Sequence, residues 1–265
     1  MQALDIKNPF NAPVYYESTV GSTMEVSRLL ADRGEPHGTV IAAGFQEAGR
    51  GRIRGRLWEV EKESSLLFTI LLRYPRAEEI RPALTLRTGL AAALAIEDFA
   101  PVLVDKVMIK WPNDILLAAA GTAKKLSGIL AEANGGTVHI GIGVNVLQRE
   151  FPDSLRERAT SVCLAAGEAG RPFALLEMII ARLYGEIENA DACRADWKSR
   201  IEAKLYKKGE KVSFAAGAAD SPYMVSGTLV GIGECGELII VPNGETAERY
   251  FTAGELIFNV PRFPE

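Results

Sequence analysis

Between Gly44 and Lys62 the sequence GFQEAGRGRIRGRLWEVEK carries Arg50, Arg52, Arg54 and Arg56 among Gly44, Gly49, Gly51 and Gly55. The glycines disfavour a regular element and free backbone N–H groups, while guanidinium forks suit the planar oxygens of phosphates and carboxylates. The stretch reads either as an anion-binding loop or as a solvated hairpin tip with incidental charge. It is not a dinucleotide fingerprint, because Gly49-x-Gly51 lacks a third glycine at the required offset and a strand follows instead of a helix. Nor is it a Walker loop, since no Gly-Lys-Ser/Thr is present.

Three further stretches hold residues with chemical potential. In KWPND, Lys110 to Asp114, Asp114 ends a turn from which a carboxylate can hold Mg²⁺ or orient an amine; simple Pro-Asn-Asp turn chemistry explains the same residues. In AKKLSGILAE, Lys125 is either a solubilising charge on a strand or a point charge for a carboxylate or phosphate. Gly128, in the same stretch, permits close approach of backbone to a ligand. In HIGIGVNV, Gly141 and Gly143 leave one strand face bare, for close packing or for a flat ligand, and Asn145 offers an amide suited to a base edge. His139 reads as an exposed strand residue. With only His37 and His139 in the chain, and neither beside a candidate nucleophile, a Ser-His-Asp or Cys-His mechanism finds no support.

The elements that position these residues follow from periodicity. GSTMEVSRLLADRG predicts a helix capped by Ser22, with Glu25 closing a Ser-x-x-Glu box and Val26, Leu29 and Leu30 as its apolar stripe. TVIAAGF and SLLFTILL predict buried strands that enter and leave the arginine loop, so its ends are pinned and its middle is expected to be mobile. A long helix is expected over 78–99, strands near 107–110, 114–118, 125–133 and 137–146, and helices near 172–190 and 191–206. After Gly209 the texture changes to short strands (KVSF, MVSGTLVGI, GELIIV, RYFTAG) punctuated by Gly and Pro, which predicts a small β-barrel of SH3 size. The fold class is α+β with a mixed sheet, divided into a catalytic domain over 1–208 and an SH3-like β domain over 209–265.

Composition narrows the field. A net charge of −4 argues against broad nucleic-acid or anionic-membrane binding, although one basic loop survives that objection. Cys163, Cys193 and Cys235 are scattered and form no CxxC, so neither a disulfide framework nor a zinc site is indicated. The longest aliphatic run, GLAAALAI, is too short to span a bilayer, and MQALDIKNPF lacks the pattern of a secretory leader. The cytoplasm is the expected compartment.

GSTMEV, QEAGRGRIRGRLW, KWPNDI, KKLSGILAE and GIGVNV, in that order, resemble the biotin protein ligases (biotin–[acetyl-CoA-carboxylase] ligases) over about residues 14–150, and the C-terminal β-module matches the position of that family's SH3-like domain. The resemblance implies a class II synthetase-like catalytic fold. It also implies two steps: activation of biotin by Mg-ATP to biotinyl-5′-AMP, then transfer to a lysine of the biotin carboxyl carrier protein of acetyl-CoA carboxylase. By motif position, Ser22, Thr23, Gln46 and Gly128 would meet biotin. Arg50, Gly51, Arg52 and Lys125 would meet the acyl-phosphate, and Asp114 would lie near the metal or the incoming lysine. Trp58, Asn145 and Lys110 would contact the nucleotide. With about fourteen residues ahead of the core, the expectation is the monofunctional ligase without a DNA-binding repressor domain, with biotin, ATP and the carrier as partners and neither DNA nor membrane; the family also admits a homodimer.

Three positions depart from the family pattern. Met24 stands where Asn usually follows Ser-Thr, the arginine loop has one residue more (GRGRIRGR for GRGRRGR), and Glu63 stands where Gly is expected. Glu59, Glu61 and Glu63 are expected to pair with loop arginines. Two rivals remain at this point. A lipoate ligase or octanoyltransferase of the same fold would, as a transferase, want an acyl-accepting cysteine within these motifs. A non-catalytic nucleic-acid-binding module would want interleaved aromatics and a basic surface.

Overall fold

A computed structural model describes residues 1–53, 55, 58, 61–119, 122–188 and 196–257. Thirteen strands run β1 Gln2–Ala3, β2 Val14–Glu17, β3 Thr39–Ala43, β4 Ser65–Arg73, β5 Val107–Lys110, β6 Asp114–Ala119, β7 Thr122–Asn134, β8 Thr137–Asn145, β9 Lys211–Ala216, β10 Tyr223–Ile232, β11 Leu238–Pro242, β12 Arg249–Phe251 and β13 Gly254–Leu256. The helices are α1 Thr23–Asp32, α2 Leu84–Phe99, α3 Asp153–Arg156, α4 Val162–Ala166, α5 Pro172–Ile187 and α6 Trp197–Ala203. Arg54, Arg56, Glu59, Cys193 and part of the helix expected over 191–206 lie outside the described residues.

Eight strands form one mixed sheet in the order β1-β2-β3-β4-β8-β7-β6-β5. Only β2 and β3 pair in parallel, with α1 as the crossover between them. The sheet has two distinct faces. Phe68, Ile70 and Leu72 of β4, Ile140, Ile142 and Val144 of β8, and Ile129 of β7 belong to the main core with the buried residues of α2 and α5. The opposite face carries Thr69, Gly141, Gly143 and Gly128, and α1 lies against it. One face is hydrophobic ballast; the other is left open for chemistry.

Helix α1 forms where expected but is turned about its axis. Thr23, Met24, Ser27 and Leu30 are buried, whereas Leu29 points to solvent. The reason lies beneath it: Ser27 Oγ meets His139 Nδ1 at 2.8 Å, and the bare backbone at Gly141 accepts the Met24 side chain. His139 is therefore buried, not exposed as predicted. The capping box is also absent. Ser22 caps through the Met24 N–H at 3.3 Å, while Glu25 reaches across to Arg50. Helix α2 starts at Leu84 and not near 78, because Pro82 disfavours helical geometry before it and Ala83 takes a left-handed φ of 55°. The short helices α3 and α4 were not anticipated.

Residues 211–256 form a second sheet, antiparallel and five-stranded, in the order β12-β11-β10-β9-β13. No hydrogen bonds join β12 to β13 among the described residues, so by its pairing this sheet is open, not the closed barrel expected. Its core is continuous with the main one: Phe214 packs edge-on against Trp111 at 5.7 Å, and Trp111 Nε1 donates to Gly236 O at 2.9 Å. No described helix is long and apolar enough to cross a membrane.

The buried Ser27–His139 pair gives the fold a pH dependence. Burial, and then the Arg28 charge, hold the His139 pKa below the ordinary histidine value, with Glu132, Asp32 and Arg73 also acting on it. A depressed folded-state pKa stabilises the fold above the unfolded value of about 6.5, and that contribution is lost as pH falls through the folded pKa. Thermal melts from about pH 7 to about pH 5 should show a falling Tm, with a shallower slope in His139→Gln.

Candidate active site

The open sheet face, α1 and the first part of the arginine loop enclose a groove of about 70 Å³. Ser22, Thr23, Met24 and Gln46 line it, together with Arg50, Gly51, Arg52, Trp58, Lys125 and Gly128. The Thr23 N–H and hydroxyl both donate to Gln46 Oε1, at 2.7 and 3.0 Å, and the Thr69 hydroxyl donates to Thr23 Oγ at 2.8 Å. This buried relay fixes the amide of Gln46: its oxygen is occupied, so its nitrogen is left to donate to whatever fills the groove.

The arginine loop is stapled at its base. Ala48 N donates to Gly21 O at 2.8 Å, Trp58 N to Gly49 O at 3.0 Å and Glu63 N to Gly44 O at 3.0 Å. Arg50 pairs with Glu25 on α1, and Arg52 donates to Gly254 O of β13 at 3.0 Å. Both arginines thus have protein partners, which tie the part of the loop expected to be mobile to α1 and β13. Glu63 is not one of those partners. It sits at a left-handed φ of 59° and accepts from Tyr16 Oη at 2.9 Å; burial and then that bond push the Tyr16 pKa up to about 12. The positive φ explains why glycine suits this position, and the tyrosine bond is what the glutamate gains there.

Lys125 reaches the groove because strand β7 is bulged. Ile115 faces Ser127 and Leu116 faces Lys125, so Leu126 has no partner on β6. From Gly128 and Leu130, which line the groove, strict alternation would put Leu126 and Lys124 on that side; the extra residue puts Lys125 there. Its ammonium lies 2.6 Å from Asp114 Oδ1 and 5.3 Å above the Trp58 ring. Lys124 points elsewhere and donates to Arg156 O at 2.6 Å.

Residues 18–146 match the biotin/lipoate A/B protein ligase family. The biotin–[acetyl-CoA-carboxylase] ligase of Paracoccus denitrificans is 30% identical over 234 residues, which cover 82% of this chain and 89% of the relative. The chain belongs to the biotin protein ligase family. The bifunctional ligase/repressor BirA of Bacillus subtilis is 38% identical over 160 residues, 58% of this chain; the match spans about half, 47%, of that relative's length. The biotin protein ligase from Aquifex aeolicus in complex with biotin and ATP superimposes with a TM-score of 0.73 at 30% identity, covering 92% of this chain and 97% of that one.

Set against the biotin protein ligase pattern, the groove gathers Ser22, Thr23, Gln46, Arg50, Gly51, Arg52, Trp58, Lys125 and Gly128, with Asp114 in contact through Lys125. Two predicted nucleotide contacts lie outside it. Lys110 is buried, with Glu255 of β13 at 3.7 Å. Asn145 is buried too, and its amide is engaged: Nδ2 donates to Thr160 O at 3.0 Å and Oδ1 accepts from Gln148 Nε2 at 3.3 Å. Sequence reasoning passed over Asn113, Arg28, Glu132 and Thr69. Asn113 sits in the KWPND turn, and its amide holds Ile129 O at 2.8 Å. Arg28 and Glu132 pair with each other from α1 and β7. Only Asn113 carried a cue, its place beside Asp114 in a motif already singled out.

The bare strand face is filled by the chain itself. A Cβ on Gly143 would come within 2.7 Å of the Trp58 indole, and one on Gly128 within 2.9 Å of it. Trp58 therefore lies flat on the groove floor, and its Nε1 is buried without a hydrogen-bond partner. Gly143→Ala should lift the ring from the floor and shift its fluorescence emission to longer wavelength. The shift should be absent when the same change is made in a Trp58→Phe background.

Proposed function

We propose that this chain joins biotin to ATP and then to a protein lysine. In the first step a biotin carboxylate oxygen attacks the α-phosphorus of Mg-ATP, the bond to the β-phosphate oxygen breaks, and pyrophosphate leaves. In the second, a lysine amine of the carrier attacks the acyl carbon of biotinyl-5′-AMP, the acyl C–O bond breaks, AMP leaves, and the amine loses a proton. Neither step needs a protein nucleophile. Positioning and charge stabilisation suffice.

The observation that carries this reading is a single groove lined both by oriented neutral groups and by cations. Gln46, Thr23 and Ser22 suit the ureido group of biotin, a neutral head with one acceptor and two donors. Lys125, Arg52 and Arg50 suit the carboxylate and the acyl-phosphate that forms from it. In the ligand-free chain Asp114 neutralises Lys125. Mg²⁺ arrives with the nucleotide, and the Asp114 carboxylate beside Asn113 suits an ion held by one or two protein oxygens plus substrate phosphates; binding it there would release Lys125 to the acyl-phosphate. Trp58 suits the adenine once it leaves the floor.

We assign the catalytic role to residues 1–208 and take 209–265 as a C-terminal SH3-like module. Its geometry supports this: β12 and β13 lie on opposite edges of their sheet, yet only Thr252 and Ala253 separate them, so the sheet must curl strongly to bring its edges together. The carrier of acetyl-CoA carboxylase is the proposed acceptor, after the name of the Paracoccus relative, and the cytoplasm the proposed compartment. The octanoyltransferase alternative gains nothing from the described cysteines, since Cys163 is buried in α4 and Cys235 lies in the C-terminal sheet's turn, while Cys193 lies outside the described residues.

Pyrophosphate–ATP exchange should require biotin and Mg²⁺; exchange supported by lipoate and not biotin would overturn the proposal. Lys125→Ala should lower the exchange rate about 10²-fold or more with little change in Tm, because it removes one stabilising charge and opens no cavity. Lys124→Ala, on the other face, should leave the rate unchanged.

Arg52→Gly removes both a phosphate ligand and the tie to Gly254. That variant should still form adenylate but release it, so that mass spectrometry finds biotin on bystander lysines as well as on the carrier. Arg50→Ala, which also frees Glu25, should show the same leak more weakly. Labelling confined to the carrier in both variants would remove the loop from the role of lid.

A further inference from the structure

At Lys125 strand β7 loses its regular neighbour. The last pair between β7 and β8 is Ser127 with Val144, and β8 ends at Asn145. A loop segment takes over: the Lys125 N–H donates to Arg158 O at 2.7 Å, the Thr160 N–H donates to Lys125 O at 2.9 Å, and Lys125 forms a parallel bridge with Ala159. The backbone from which the lysine projects is therefore held between the bulge at Leu126 on one edge and residues 158–160 on the other.

That segment is itself pinned by a buried polar network. Asn145 Nδ2 donates to Thr160 O at 3.0 Å, Gln148 Nε2 donates to Asn145 Oδ1 at 3.3 Å, and the same nitrogen lies 2.5 Å from Ser65 Oγ. The Ser161 hydroxyl donates to Gln148 O at 2.6 Å and caps α4 by accepting from Leu164 N. Asn145, Gln148, Ser65 and Ser161 are all buried. Gln148 Oε1 is buried with no hydrogen-bond partner, although such acceptors are ordinarily matched. The amide is kept in an orientation that satisfies Asn145 and leaves its own oxygen unmatched.

We propose that Gln148 and Asn145 are positioning residues for Lys125. Gln148 orients the Asn145 amide, Asn145 holds Thr160, and Thr160 with Arg158 fixes the backbone from which the lysine reaches Asp114 and the groove. The proposal rests on the assignment of Lys125 to the acyl-phosphate. It gives Asn145 a different duty from the adenine contact implied by its motif, since both ends of its amide are already occupied.

The test is a double-mutant cycle on the exchange reaction. Gln148→Leu should lower kcat about tenfold, with biotin and ATP KM changed less than about twofold. In a Lys125→Ala background the same substitution should cost less than about twofold, because its effect is transmitted through the missing side chain. Equal losses in both backgrounds would reduce the network to support of the fold, and a rise in the ATP KM at unchanged kcat would return Asn145 to the nucleotide. If Gln148→Leu does not fold, Ser65→Ala removes the other anchor of the same amide and should show the same non-additivity. A second readout is independent of turnover: trace acetylation of the folded, ligand-free chain, followed by mass spectrometry, should show Lys125 modified severalfold faster in the variant, with Lys208, paired to Glu202, as the internal reference. Unchanged Lys125 reactivity would overturn the proposal even if the wild-type chain proved inactive with biotin.

Discussion

At Leu126 strand β7 carries one residue more than the strand beside it, and most of the site's electrostatics depends on that surplus. A strand offers its side chains to two faces in strict alternation, and in this sheet the faces differ sharply: one is packed by α2 and α5, the other is open. In regular alternation with Gly128, Lys125 would project toward the packed face, where an ammonium without a partner would be costly. The bulge turns it onto the open face, where Asp114 and the Trp58 ring receive it. On the strand's other edge, where the pairing with β8 has ended, residues 158–160 run alongside Lys125 and supply one donor and one acceptor.

The neutral lining of the groove is built on a different principle. Each hydroxyl in the relay from Thr69 through Thr23 to Gln46 has one permitted direction, because the last acceptor is a carbonyl oxygen that cannot donate. Order at the surface of the groove is thus set from the sheet beneath, where Thr69 is fully buried. The same dependence on a deeper layer recurs at Gln148 and Asn145. Groups that face the ligand are held by groups that never touch it.

How much of this was legible in the sequence follows the range of the interactions. Strands β3 to β8 and the pinned ends of the arginine loop depend on period-two patterning and glycine, both local, and they stand where expected, whereas β1 and β2 were not anticipated. The face of α1 was misread because its partners, His139 and Gly141, lie more than a hundred residues away, and because buried Ser27 does not look apolar. Lys125 was identified on the strength of its motif, but the reason it faces the groove is a register shift that no single strand's sequence encodes. Arg50 and Arg52 find partners outside the loop, Glu25 from the preceding helix and the Gly254 carbonyl from the second sheet, while Arg54, Arg56 and Glu59 lie outside the described residues. Asn145 in GIGVNV was read as a free amide, and only the packing of α4 and the loop before it reveals that both ends of the amide are engaged.

The bond from Arg52 to Gly254 O joins residues 202 positions apart. Gly254 is therefore synthesised 202 residues after Arg52. At about 5–20 residues per second, roughly 10–40 s separate the appearance of the arginine loop from that of the carbonyl that anchors it. Phe214 and Gly236, which seat Trp111 above the KWPND turn, arrive late as well. A nascent chain can assemble the sheet and the relay around Gln46 during this interval, but Arg52 stays unfastened until Gly254 has emerged. The order in which the ribosome delivers the chain thus sets the fastening of Arg52 apart in time from the assembly of the groove that it lines.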